Sequence, residues 1–75
     1  MIVRVRDLPN AQGRYEIFEV ARGGSAADEG PQAHFVDESV DVDLCSRLMA
    51  RTGAFWYAEG GALHEDTDWQ PPEVP

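Results

Sequence analysis

The sequence predicts an α+β fold: a small antiparallel sheet of four or five strands with one helix packed on it, in the order ββ(β)αββ. Three observations predict it. Apolar and charged residues alternate over Met1–Arg6, a single apolar stripe at helical spacing runs from Leu44 to Met49, and clusters of Gly, Pro and Asn cut the rest into short segments. The chain has 75 residues, and folding at that length buries only about 60% of the surface the unfolded chain exposes, which allows one small domain. Residues 1–65 are expected to form it, with residues 66–75 as a Pro-rich acidic tail that is either disordered or an arm pinned by Trp69.

Met1, Val3 and Val5 alternate with Ile2, Arg4 and Arg6, an opening strand with one buried face and one arginine-bearing face. Pro9, Asn10 and Gly13 supply turn chemistry, so Arg14–Arg22 reads as the returning strand of a hairpin. Its alternation slips at Ile17 and Phe18, which are adjacent and both apolar. A bulge explains this, and so does a short helix gathering Tyr15, Phe18 and Ala21; aromatic and β-branched residues favour the strand. Arg22–Pro31 reads as a mobile connector. It is glycine-rich, but Asp28 and Glu29 would repel a phosphate.

Ala33–Val36 is a short third strand. Leu44, Cys45, Leu48 and Met49 then fall on one side of a helix spanning about Asp41–Thr52. Asp41 suits the N-cap and Asp43 the positive helix start; Arg47 and Arg51 suit its negative end, and Gly53 the left-handed position after the last turn. Val40–Leu44 also alternate, so the third strand could run on before the helix begins. Ala54–Ala58 is a fourth strand with Phe55 and Tyr57 on one face and Trp56 on the other. Gly60 and Gly61 suit a two-residue hairpin loop into a fifth strand at Ala62–Glu65. The expected core is Ile2, Val3, Val5, Ile17, Val20, Phe35, Leu44, Leu48, Met49, Phe55 and Tyr57.

Composition excludes several functions. The chain carries 14 acidic and 6 basic side chains, a net charge of −8. All the basic residues are arginine, so a phosphate-binding loop ending in lysine, a Schiff-base mechanism and a lysine general base are ruled out. The acidity argues against wrapping nucleic acid or an anionic membrane. Cys45 is the lone cysteine, so no internal disulfide staples the fold. The longest apolar run, Ala54–Ala58, falls far short of the roughly 20 residues of a membrane span, and the first residues do not read as a signal peptide. A cytoplasmic protein is expected.

Catalytic patterns are thin. Cys45 lies on the apolar stripe, where a thiol is inert, and Ser25, Ser39 and Ser46 lack a nucleophile-elbow context. His34 and His64 lack metal-ligand spacing. The expectation is a protein with no enzymatic activity, metal or cofactor.

The charge, by contrast, is patterned. Residues 1–27 carry four arginines against three acids; residues 28–75 carry two arginines against eleven acids, a net −9. Asp37, Glu38, Asp41 and Asp43 form one acidic cluster and Glu65, Asp66 and Asp68 another, with Asp28 and Glu29 between the two halves of the chain. On a strand or a helix start, the middle cluster sets a row of carboxylates outward and turns the valines in. Such a row either solvates a surface and caps a helix, or engages a basic partner by imitating a phosphate backbone. Trp56, with Trp69, is a candidate interface anchor.

In size, charge and layout the chain resembles the small acidic phage-encoded inhibitors of the anti-CRISPR type, through its compact α+β plan, its lack of a catalytic motif and the row Asp37, Glu38, Asp41 and Asp43. The resemblance spans the whole chain and rests on type rather than on a motif. It implies a DNA mimic that binds a CRISPR effector subunit and denies it its target. The arginine-bearing first hairpin departs from a uniformly acidic mimic and leaves room for a mixed-charge interface. The rival reading is a small accessory or assembly subunit, docking through a sheet edge and exposed aromatics, with homodimerisation open to it.

Overall fold

The structure, a computed structural model, describes residues 1–71. The chain forms β1 (Ile2–Val5), β2 (Tyr15–Ala21), β3 (Ala33–Phe35), α1 (Val42–Ala50), β4 (Phe55–Tyr57) and β5 (Leu63–Glu65), with 3-10 turns at Ala26–Asp28 and Thr52–Ala54. The predicted class holds: one helix packs on a curled, five-stranded antiparallel sheet. The order of strands in space, β3-β1-β2-β4-β5, differs from the order along the chain that the sequence suggests. β3 returns to the free side of β1, and β2 joins two hairpins by pairing with β1 over Ile17–Ala21 and with β4 over Tyr15 and Glu16.

The slip in β2 is a bulge, and the short-helix alternative is excluded. Arg4 faces Glu19 and Val5 faces Ile17, which leaves Phe18 without a partner. Phe18 points outward, with the Arg6 guanidinium 5.0 Å from its ring centroid. The first turn closes on Asn10, whose side-chain oxygen accepts from the Gln12 and Arg14 amides at 2.9 and 3.0 Å.

Met1, Val3 and Val5 meet Val36, Cys45, Leu48, Ala54, Phe55 and Tyr57 in one core. Ile2 points the other way and is still buried, because the 22–31 connection folds over it: a Cβ on Gly24 would sit 2.6 Å from the Ile2 side chain. That connection is therefore a packed cover with its own 3-10 turn, in which Asp28 accepts from the Ser25 amide at 2.8 Å.

Several expectations need correction. Ile17, Val20 and Leu44 are only partly buried against the core, Phe35 is half-buried, and Met49 is exposed, because the stripe that meets the sheet is narrowed to Cys45 and Leu48. Asp41 occupies the N-cap position, yet its side chain makes no capping hydrogen bond. Gly53 is not a left-handed cap, since α1 ends at Ala50 and Gly53 lies within the second 3-10 turn. The Thr52 hydroxyl instead satisfies the Leu48 carbonyl at 2.6 Å. The β4–β5 loop has three residues, Glu59–Gly61, because the Ala58 amide donates to the Ala62 carbonyl at 2.8 Å; Gly60 and Gly61 both take positive φ there.

Gly53 matters for a different reason. It allows Trp69 to lie directly on the turn, where an added Cβ would come within 2.7 Å of the indole. Trp69 thereby packs on the core and pins the chain as far as that residue. The remainder of the expected tail, residues 72–75, lies outside the described residues. No helix among the described residues is long and apolar enough to cross a membrane.

Candidate protein-binding face

Between β3 and α1 the chain makes a compact turn around Asp37. Its carboxylate accepts from the Ser39 amide at 2.9 Å and the Ser39 hydroxyl at 2.6 Å, and these bonds hold its pKa below the usual carboxylate value. The Asp37 carbonyl accepts from the Val40 and Asp41 amides, and the Asp41 carbonyl takes the first helical bond from Cys45. Asp43 follows in the first turn of α1. Asp37, Asp41 and Asp43 are all exposed, and none is in an ion pair among the described residues.

The valines of this segment do not turn in. Val40 is 73% and Val42 59% exposed, because the alternation Val40–Leu44 falls on a turn and a helix start rather than on a strand. Only Leu44 of that series reaches the core edge. A shallow depression of about 320 Å³ runs along the segment, lined by Val40, Asp41, Val42, Asp43, Leu44 and Arg47. Sequence reasoning missed the two valines as surface residues; the three acids flanking them were the available signal.

The other acids do different things. Glu38 turns back toward the sheet, 3.9 Å from the Met1 amino group and 3.4 Å from Arg22. Glu65 is clasped by Arg47 at 3.3 Å and Arg51 at 2.9 Å, at the far end of α1. Asp66 accepts from the Asp68 amide at 3.0 Å, and Asp68 stays exposed. The predicted acidic residues thus separate into a free group at the helix start, two that are neutralised inside the fold, and a pair beside the Trp69 anchor.

Trp56 stands on the opposite face of β4 from Phe55 and Tyr57, as alternation requires. It is not bare. The Arg14 guanidinium lies 3.9 Å from its ring and His64 stacks at 5.5 Å with an interplanar angle of 13°. His34 is likewise stacked, on Tyr57. Cys45 is buried, and burial pushes its thiol pKa up. No cluster of three or more His, Cys, Asp or Glu side chains able to hold a metal occurs among the described residues.

The helix start therefore combines exposed negative charge with exposed aliphatic surface. No protein-family model matches the chain, and no curated protein or solved structure matches it either.

Proposed function

We propose that the chain is a non-enzymatic, acidic protein-binding inhibitor that occupies the nucleic-acid-binding surface of a partner. The observation that carries this reading is the helix start itself, where Val40 and Val42 stand exposed among the carboxylates of Asp37, Asp41 and Asp43, which are in no ion pair among the described residues. Carboxylates held on a turn and a helix end present to arginine and lysine what a phosphate backbone presents, and they steer encounter electrostatically. The valines add an apolar contact that a nucleic acid lacks, giving the inhibitor a means of outlasting salt that would release DNA. Accumulating acid at a helix N-terminus also stabilises the helix by about 0.3–1 kcal/mol, but that role asks nothing of the valines.

Two double variants test the reading in a pull-down from source-cell lysate at low and high salt. Asp41→Lys with Asp43→Lys should release a basic partner at low salt, and Val40→Ser with Val42→Ser should make its retention more salt-sensitive. Undiminished capture by both variants, with the fold intact by circular dichroism, would overturn the proposal.

A further inference from the structure

At the opposite end of β1 from the helix start, the curl of the sheet leaves a cavity of about 270 Å³ bounded by Asp7, Tyr15, His34, Tyr57 and Glu59, with Arg6 on its wall. This is below the roughly 300–1,000 Å³ of pockets for drug-sized ligands. Tyr57 is 4% exposed, and His34 stacks on it with ring centroids 3.8 Å apart and planes 8° apart, which fixes the phenol in place. The Tyr57 hydroxyl has no hydrogen-bond partner among the described side-chain contacts, yet no side-chain oxygen there is both unpartnered and shut away from solvent. The hydroxyl therefore opens into the cavity, a buried ring with a polar tip that asks for a partner.

The surroundings select the charge of that partner. Asp7 and Glu59 are exposed on the rim and neither is in an ion pair among the described residues. The negative charge of Glu29 also reaches Tyr57, and with burial as the larger cause it pushes the phenol pKa up to about 12. The phenol accordingly stays neutral, able to accept a hydrogen bond. Among the described residues Arg6 is the only cation on the wall, and its guanidinium is drawn onto the Phe18 ring.

We infer that this cavity is a binding site for one organic cation, a guanidinium or alkylammonium group on a stem no longer than a basic side chain. Its N–H groups donate to the Tyr57 hydroxyl and to the rim carboxylates, while its stem lies against the tyrosine rings. The site is separate from the helix start, so its failure would leave the proposed inhibitor function standing, and the reverse also holds.

The test is a titration of the full chain, followed by NMR, with N-acetyl-arginine amide, with agmatine and with N-acetyl-citrulline amide. Both cations are expected to shift the resonances of Tyr15, Tyr57 and the Glu59–Gly61 loop with millimolar affinity, and the neutral citrulline compound to leave them in place. Glu59→Gln should weaken binding about three- to tenfold, and Tyr57→Phe, which keeps the ring, should do the same. Equal binding of the two cations identifies a free small molecule as sufficient; tighter binding of the amide identifies a polypeptide as the carrier; both support the site. No shift up to about 20 mM, a millimolar scale being the weakest useful affinity, would overturn it. So would equal shifts from citrulline, or affinity unchanged in both variants.

Discussion

The two ends of α1 treat charge in opposite ways. At the C-terminal end, Arg47 and Arg51 are drawn onto Glu65, and Arg51 also donates to the carbonyls of Asp66 and Trp69 at 3.4 and 3.0 Å. Both arginines there are paired, and the result is to fasten the segment after β5 to the helix. At the N-terminal end, Asp37, Asp41 and Asp43 face solvent, and among the described residues the side-chain bonds of this group are those of Asp37 to Ser39. One end uses its charges within the molecule, while the other leaves them available. A net charge of −8 cannot distinguish these situations; the pairing can.

Breaking the C-terminal end should have the largest effect on stability. Arg51→Ala removes a half-buried ion pair, two hydrogen bonds to carbonyls and a guanidinium 5.8 Å from the Trp69 ring centroid. We expect a loss of about 1–2 kcal/mol in urea unfolding, discounted for partial exposure. Asp41→Ala at the other end should stay within about 0.5 kcal/mol, as unpaired surface groups do. Equal losses would erase the distinction between the two ends. Gly53→Ala comes next: its Cβ would meet the indole at 2.7 Å, so Trp69 must shift. A loss of about 1 kcal/mol is expected, with a red-shifted tryptophan emission that reports the displaced ring.

The smallest effect sharpens the N-terminal end. Because the Ser39 bonds lower the Asp37 pKa in the folded chain, its contribution to stability is present above the unfolded value of about 4 and fades as pH falls through the lower folded value. Ser39→Ala should bring the carboxyl back toward the ordinary value, which a carboxyl-carbon NMR titration reads directly. An unchanged titration would show that the turn is not held by this pair.

The local elements were legible because their signals are local. The alternation of Met1–Arg6, the Leu44–Leu48 spacing and the glycine pair after Glu59 each prescribe a backbone geometry over a few residues. The slip at Ile17–Phe18 even carried its own diagnosis as a bulge. Burial was less legible, since Met1, Val36 and Ala54 become core only when β3 and the second 3-10 turn close around β1. Val40 and Val42 were misjudged for the same reason: their alternation is real, but no sheet surface faces them. Pairings such as Arg51 with Glu65, 14 residues apart, leave no trace in composition. The stacking of Arg14 and His64 on Trp56 depends on a register among three strands that no single segment encodes.

β2 has a further consequence for how the molecule comes apart. Its upper part completes one three-stranded unit with β1 and β3, and its first two residues complete another with β4 and β5. Neither unit can be released while the other keeps the strand they share, and the joint between them falls at Glu16 and Ile17, just before the bulge at Phe18. Two three-stranded units would ordinarily suggest two melting steps, but the strand they share binds both to a single cooperative transition.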